Sequence, residues 1–172
     1  MVMHLNVEFK AHCPNPDKVR EILLRGGAEY KGRDHQIDVY FNVPHGRLKL
    51  RKGNIENCLI GYERDDCAGP KQSKVHLLKT EQGALLEEIL AATLGVKVVV
   101  DKQRDIYFIG NVKFHVDEVQ RLGSFVEVEA IDITGDIGKD KLQQQCERYS
   151  GMLGIRDEEL VAKSYSDLLL ET

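Results

Sequence analysis

Charged side chains recur at every second position in several short segments of the chain. The segment RLKLR spaces Arg47, Lys49 and Arg51 in this way, and VEVE does the same for Glu127 and Glu129. Because side chains alternate between the two faces of a β-strand, each set would lie on one face, opposite leucines or valines. Neighbouring cations on one strand face repel one another unless an anion lies among them. Aligned cations therefore suit a multiply charged anion, and aligned carboxylates suit a divalent metal ion.

Four more segments place charges on what would be one strand face. They are Glu8 and Lys10 in NVEFK, Arg64 beside Tyr62 in GYERDD, Lys102 and Arg104 in DKQRD, and Asp117 in HVDEV. For any one strand, a solvent-exposed sheet face is the simpler explanation, since antiparallel sheets often have one solvated side. Each strand, however, tends to carry one sign of charge, whereas a solvated face usually mixes signs. The pattern favours a closed sheet with charged faces inside and apolar faces outside, under helices.

A lumen of this kind suits a chain of phosphates. Lys and Arg on opposing walls would bind the phosphate oxygens. The carboxylates would hold Mg²⁺ or Mn²⁺, which in turn would contact the phosphates. The sequence contains no glycine-rich phosphate-binding loop, so phosphate binding would depend on side chains.

Short strands and three helices would position these residues. The predicted strands are 4–12, 35–43, 47–53, 57–66, 74–80, 96–110, 111–120 and 124–132, and the predicted helices lie within 14–28, 81–95 and 140–154. The strands cluster as hairpins and do not alternate with helices one for one, which favours an antiparallel α+β sheet. We expect one domain over 1–172 and a mobile loop at 67–74.

Composition excludes several classes of partner. The chain has 172 residues, 42% of them hydrophobic, and a formal net charge of −4, so nothing global indicates binding to nucleic acid or an anionic membrane. No apolar run approaches bilayer length and no secretory signal is evident, which predicts a cytoplasmic protein. The four cysteines form no C-x-x-C pair, so we expect reduced thiols; a zinc site from His12, Cys13, Cys58 and Cys67 has little support from their spacing.

Taken in order along the chain, the charged segments described above resemble those of the CYTH family, the triphosphate tunnel metalloenzymes. NVEFK resembles the N-terminal E-x-E-x-K signature, and the runs at Gln36–Phe41 and Leu48–Arg51 resemble the next family segments. DKQRDIY, VDEVQRLGSFVEVE and KSYSDLL resemble later ones. The closest resemblance is to the class IV adenylyl cyclase-like branch, with thiamine triphosphatases as relatives.

The resemblance implies an eight-stranded antiparallel tunnel with charged faces inward. It implies that phosphate is held by Lys10, Lys49, Arg51, Arg64, Lys102, Arg104 and Lys163, and that divalent metal is held by Glu8, Glu127, Glu129 and Asp117. Arg47 and Lys74 are further phosphate candidates. An alternative for Asp117 is a structural pair with Arg104. The departure is Asn6, where the family has Glu: an amide keeps an oxygen ligand but lacks the charge.

The implied activity is metal-dependent chemistry on ATP, thiamine triphosphate or tripolyphosphate. One form is cyclase chemistry, ATP to cAMP and pyrophosphate, and the other is triphosphate hydrolysis. A non-catalytic module that binds nucleotides or polyphosphate is an alternative, favoured by Asn6, and a purely structural sheet is another. None of the six histidines is assigned as a general base, and His115 is assigned to the strand face opposite Asp117. An apolar strip on the outer surface would support a homodimer.

Overall fold

A sheet closed on itself forms the centre of the structure, a computed structural model that describes residues 2–64 and 66–172. Its eight strands in the described part are β1 Val2–His12, β2 Glu29–Phe41, β3 Arg47–Lys52, β4 Cys58–Arg64, β5 Lys71–Lys79, β6 Val96–Ile109, β7 Val112–Val119 and β8 Gly123–Asp132. Around the barrel their order is β1-β5-β4-β3-β2-β6-β7-β8, and every neighbouring pair is antiparallel. The predicted α+β fold with a closed antiparallel barrel is confirmed.

Helices pack on the outside of this barrel and at one of its ends. Their bounds are α1 Pro16–Arg25, α2 Gly83–Leu94, α3 Lys139–Leu153 and α4 Tyr165–Leu170, with a 3₁₀ turn at Asp157–Glu159. The Asn15 side chain caps α1 by accepting a hydrogen bond from the backbone N–H of Lys18, and Pro16 takes the first helical position. None of the helices in the described chain has the length and apolar content needed to cross a bilayer.

The main apolar core lies between the barrel and the helices α1 and α3. On β1, Val7 and Phe9 point outward into this core, while the alternate residues face the lumen. One face of α3 packs against this surface; Leu142 and Cys146, for example, are fully buried. Burial of the outward faces therefore fixes the barrel so that the charged alternate faces point inward.

Helix α2 covers a second outer surface, on β2 and β3. Leu86 and Leu90 pack against Val39 and Leu50. The opposite side of α2 leaves Leu85 exposed.

The C-terminal segment closes one end of the barrel, where β1 ends and β8 begins. Val100 and Phe125 share a strand face with the lumen residues Lys102 and Glu127, and they pack inside the barrel with Tyr165 and Leu169. The backbone N–H of Val161 donates to the carbonyl of Lys10 at 2.8 Å. These apolar side chains form a plug that fills the lumen at this end of the barrel, so the charged cavity opens at the opposite end.

Three elements differ from the sequence-based expectation. Strand β5 begins at Lys71, inside the segment expected to be a mobile loop, because residues from Lys71 onward pair with both β1 and β4. Strand β2 begins at Glu29 because it pairs with the long strand β6. Helix α4 was not predicted; its stability depends on docking into the barrel end, which local sequence does not reveal.

The α3 contact gives a stability prediction. Leu142→Ala leaves a cavity in the core between α3 and the barrel, so the free energy of unfolding should fall by about 2–5 kcal/mol. Urea unfolding followed by circular dichroism measures this change. Leu24→Ala is the matched control, since Leu24 is 55% exposed and its loss should change stability by no more than about 0.5 kcal/mol. Equal effects of the two substitutions would contradict the assignment of the core.

Candidate active site

A cavity of about 790 Å³ occupies the barrel interior. Its volume lies in the range of small-molecule sites, roughly 300–1,000 Å³. Within the described chain, eight Lys or Arg and five Glu side chains line it: Lys10, Lys49, Arg51, Arg64, Lys79, Lys102, Arg104 and Lys113, with Glu8, Glu56, Glu81, Glu127 and Glu129. The charged lumen predicted from strand alternation is present.

A single buried carboxylate, Asp38 on β2, holds three of the cations. It accepts hydrogen bonds from Lys49 Nζ at 2.9 Å, Arg51 Nε at 2.8 Å and Lys102 Nζ at 2.8 Å. Burial alone would raise the pKa of Asp38, but Arg51, Lys102 and Lys49 hold that pKa well below its usual range. Burial lowers the pKa of Lys102 to about 7, although Asp38 opposes this shift. One carboxylate for three cations leaves positive charge available to an anionic ligand.

Arg104 is held by two carboxylates from neighbouring strands. Its Nε lies 2.7 Å from Asp117 Oδ1, and its Nη2 lies 2.9 Å from Glu127 Oε2. The hydroxyl of Tyr165 donates to Asp117 Oδ2 at 2.7 Å. Both carboxylate oxygens of Asp117 therefore already accept hydrogen bonds. The residue is fully buried behind Arg104 and does not line the cavity. This is the structural pair that was the alternative to a metal-binding role for Asp117.

His115 lies in the cavity wall, on the same side of its strand as Asp117. The assignment of His115 to the opposite face was wrong, because residues two apart on a strand share a face. Its Nδ1 lies 3.2 Å from Glu127 Oε2. Burial, with the positive charge of Arg104, lowers the pKa of His115 to about 3, so the ring is neutral at ordinary pH. It can serve as a neutral hydrogen-bonding group.

Lys10 lies where the charged lumen meets the apolar plug. Its Nζ is 3.6 Å from the centre of the Tyr165 ring, 3.3 Å from Glu127 Oε1 and 3.3 Å from the carbonyl oxygen of Lys163. Burial lowers the pKa of Lys10 to about 8, although Glu127 opposes this shift. The plug thus positions the deepest cation of the site through a cation–π contact and a carbonyl.

Arg64 on β4 has hydrogen-bond donors without partners. Its Nη1 donates to Glu8 Oε1 at 2.8 Å. The side chain is only 6% exposed, and its Nε and Nη2 atoms are buried without a hydrogen-bond partner in the described structure. Buried guanidinium donors without partners are costly, so this group points to an anionic ligand in the cavity.

Glu8, Glu129 and Asn6 form an acidic group on the adjoining strands β1 and β8. Glu8 and Glu129 are directly opposite each other in the strand register. Asn6 is fully buried; its Nδ2 donates to Glu129 Oε1, while its Oδ1 has no partner among the described residues. Burial, together with the charge of Glu8, raises the pKa of Glu129 to about 7. Opposed carboxylates and an unpaired amide oxygen are hard oxygen ligands, so these residues fit a divalent cation.

The loop between β3 and β4 places one more carboxylate at the mouth of the cavity. The Asp34 carboxylate accepts backbone N–H bonds from Asn54 at 2.6 Å, Ile55 at 2.9 Å and Glu56 at 3.0 Å. The loop so fixed directs Glu56 onto Arg51 at 3.0 Å and onto Lys113. Sequence reasoning missed Glu56, because no strand pattern covers this loop.

The structure brings together most of the residues selected from sequence and leaves five outside the cavity lining, among them Asn6, which is buried beside Glu129. Lining the cavity are Lys10, Lys49, Arg51, Arg64, Lys102, Arg104, Glu8, Glu127 and Glu129. Besides Asp117, three expected residues lie elsewhere. Lys74 is exposed on the outer face of β5, the Lys163 ammonium pairs with Glu171 at the surface, and Arg47 pairs with Asp66 and Asp167 beyond the plugged end.

Asp38, Lys113 and His115 received no role from the sequence. Each follows the same alternation that revealed the other walls: Asp38 is two residues from Tyr40, and the two β7 residues alternate with outward-facing Phe114. A uniform application of period two would have found them.

Comparisons with known proteins agree with this geometry. The family model described as the CYTH domain matches residues 4–165. A provisionally named adenylate cyclase of Methanocaldococcus jannaschii is 27% identical over 178 residues, covering 95% of this chain and 98% of the relative. A solved structure from Pyrococcus horikoshii OT3 superposes with a TM-score of 0.80 at 23% identity, covering 95% of this chain and 98% of the other.

A more distant solved structure is a provisionally named adenylyl cyclase of Hippeastrum, described as having a dominant triphosphatase activity. It superposes with a TM-score of 0.59 at 11% identity, covering 97% of this chain and 94% of the other. At these identities the two solved structures show a shared fold.

The Asp38 contacts give a second prediction. Asp38→Asn leaves Lys49, Arg51 and Lys102 without their shared counter-charge, so the free energy of unfolding should fall by about 3–5 kcal/mol. Tripolyphosphate should raise the Tm of this variant more than that of the wild type, because the anion replaces the missing charge. Urea unfolding and thermal shift measure both effects.

Asp17→Asn is the control for this substitution, since the Asp17 side chain is 91% exposed and its ion pair should contribute no more than about 1 kcal/mol. Wild-type stability of Asp38→Asn would show that the three cations do not depend on Asp38.

Proposed function

Because the chain belongs to the CYTH domain family, we propose that it is an enzyme that binds a triphosphate in the barrel cavity and cleaves one of its phosphoanhydride bonds. The provisional cyclase name of the archaeal relative and the triphosphatase activity described for the Hippeastrum protein both belong to this class of chemistry. The reaction would require a divalent metal ion, as the family implies.

The observation that carries the proposal is the incomplete pairing of the lumen cations. In the described part of the chain, Arg64 keeps two buried nitrogens without acceptors, and Asp38 is shared by Lys49, Arg51 and Lys102, with Glu56 as a further partner of Arg51 alone. A triphosphate offers many oxygens in a row, so it can accept from several walls of the cavity at once. Inside a low-dielectric barrel these fixed cations stabilise charge that develops on the phosphates without reorganising.

The metal ion would be held by Glu8, Glu129 and the Oδ1 atom of Asn6. Bound there, Mg²⁺ or Mn²⁺ would neutralise phosphate charge and polarise the bond to be cleaved. The three side chains meet the preference of these ions for oxygen ligands. Glu127 already pairs with Lys10, Arg104 and His115, so we propose that its main role is to position these groups.

Two reactions are compatible with one such site. In a cyclase, the 3′-hydroxyl of ATP attacks the α-phosphorus and pyrophosphate leaves. In a triphosphatase, water attacks the terminal phosphorus and orthophosphate leaves. The cations are the same for both, and only the phosphorus presented to the nucleophile differs.

Product analysis tests the proposed function and distinguishes the two reactions. The protein is incubated with ATP, thiamine triphosphate or tripolyphosphate and with Mg²⁺ or Mn²⁺, and products are followed by ³¹P NMR and chromatography. Release of cAMP with pyrophosphate identifies a cyclase, and release of a diphosphate with orthophosphate identifies a triphosphatase. Tight binding of all three compounds with no product would overturn the enzyme assignment in favour of a non-catalytic binding module.

The unpaired donors of Arg64 give a prediction for binding. Arg64→Gln removes the charge and the guanidinium donors, so the Kd for tripolyphosphate should rise about 10- to 100-fold, as for the loss of one or two charge-assisted hydrogen bonds. Isothermal titration calorimetry measures the Kd. Arg156→Gln is the control, because Arg156 is exposed and forms its ion pairs with the nearby Glu158 and Glu159. An unchanged Kd in a folded Arg64→Gln variant would remove Arg64 from the phosphate site.

The acidic group gives a prediction for the metal. In the wild type, Mn²⁺ affinity should increase as pH rises through about 7, because the cation binds the ionised form of Glu129, whose pKa is raised to about 7. Glu129→Gln should weaken Mn²⁺ binding at least about tenfold and remove most of this pH dependence, since the ligand no longer loses a proton.

Electron paramagnetic resonance of free Mn²⁺ measures this affinity without reference to activity. Glu147→Gln, at an exposed position of α3, is the control and should behave as the wild type. Wild-type affinity and pH dependence in Glu129→Gln would show that the metal binds elsewhere.

A further inference from the structure

Strands β4 and β5 reverse the polarity of the rest of the barrel. On β1, as on the other strands that carry the charged walls, charged residues face the lumen and apolar residues face outward. Beyond Arg64, the middle of the lumen side of β4 and β5 is instead apolar, with Cys58, Ile60, Tyr62, Val75 and Leu77 lining the cavity between Ser73 and Lys79. The outer side of β5 is mainly polar, with Lys74 and His76 exposed. Side chains still alternate between the two faces of these strands, but here the apolar side chains point into the cavity.

No helix of the described chain contributes to the apolar cluster of this wall, although Tyr62 also packs against the cluster around Tyr165. Its hydrophobic cluster consists of Cys58, Ile60 and Val75 with the partly buried Tyr62 and Leu77, all from β4 and β5. Each of the other three apolar clusters includes residues from a helix. An apolar surface that faces a charged cavity and is not covered by a helix is a binding surface for an apolar group.

The wall has the dimensions of a flat ring. Ile60 lies directly opposite Leu77, and Tyr62 lies opposite Val75, in the β4–β5 register. Neighbouring strands are about 4.8 Å apart and alternate residues along a strand about 7 Å apart, so these four side chains form a flat patch of roughly that size. A planar aromatic heterocycle can lay its face on such a patch.

The wall also lies beside the phosphate-binding cations. Lys49 is directly opposite Ile60 and Arg51 is directly opposite Cys58 in the β3–β4 register. A group attached to a phosphate held by Lys49 and Arg51 therefore reaches Ile60 and Leu77 without leaving the cavity. On the other side of the wall, His4 lies opposite Val75 and its buried Nδ1 atom has no hydrogen-bond partner in the described structure.

We infer that the β4–β5 wall is a subsite for an aromatic heterocycle, so that the cavity binds organic triphosphates in preference to inorganic tripolyphosphate. This inference rests on the proposed function and specifies its substrate class. The phosphates lie on the cations of β3 and β6, the ring lies on Ile60 and Leu77, and His4 is placed to hydrogen-bond the edge of the ring.

Calorimetry in EDTA, where no metal-dependent turnover occurs, tests the subsite with ATP, thiamine triphosphate and tripolyphosphate. Leu77→Asn makes the wall polar and should raise the Kd for both organic triphosphates about five- to tenfold, while the Kd for tripolyphosphate changes less than about twofold. The heat-capacity change on binding should be more negative for ATP than for tripolyphosphate in the wild type, and this difference should shrink in Leu77→Asn.

Leu78→Asn is the matched control, because it makes the same substitution one residue later on the outer face, where Leu78 is 46% exposed. It should leave all three Kd values unchanged. Ile60→Thr, a milder change on the neighbouring strand, should reproduce the selective loss if Leu77→Asn fails to fold.

The remaining outcomes separate this inference from the proposed function. Equal weakening of tripolyphosphate and ATP by Leu77→Asn, or no weakening of either in both wall variants, would overturn the subsite while leaving triphosphate binding intact. Failure of the wild type to bind any of the three compounds, in EDTA and again with Mg²⁺, would overturn the proposed function itself.

Discussion

The whole barrel depends on how buried positive charge is held inside a closed sheet. Lys49, Arg51 and Lys102 could not share one low-dielectric wall without a counter-charge, because their repulsion and desolvation would exceed what packing outside the barrel supplies. Asp38 gives that counter-charge from within the sheet. Since this one carboxylate is shared by three cations, positive charge is left in the cavity for the anionic ligand of the proposed function.

This partial balance is arranged along the barrel axis. The apolar plug around Phe125 and Tyr165 excludes water at one end and orients Lys10 and Asp117. The paired and unpaired charges occupy the middle, and the apolar wall of β4 and β5 lies beside them towards the mouth. Under the proposed function, such an arrangement orients a ligand with its phosphates among the charges and its organic group on the wall. The order of these regions along the barrel axis therefore determines both the affinity for the ligand and its orientation.

Strand alternation was sufficient to predict the charged walls, because burial of outward residues such as Val7 and Phe9 forces the alternate faces inward. It could not predict Glu56, which reaches Arg51 through a loop fixed by Asp34 over a long range. Lys74 was misjudged because its charge was considered without its strand face. Helix α4 and the plug depend on contacts between the two ends of the chain, and no local pattern records such contacts.

Asn6 shows how the same site can keep its chemistry with less negative charge. A glutamate at this fully buried position would place a third carboxylate beside Glu8 and Glu129, whose proximity already contributes to the raised pKa of Glu129. The amide donates to Glu129 through Nδ2 and leaves Oδ1 free. Fewer charged ligands weaken the binding of a free divalent cation. Under the proposed function, the phosphates of the substrate must then complete the coordination of the metal ion. The metal ion and the triphosphate would therefore bind to the cavity cooperatively.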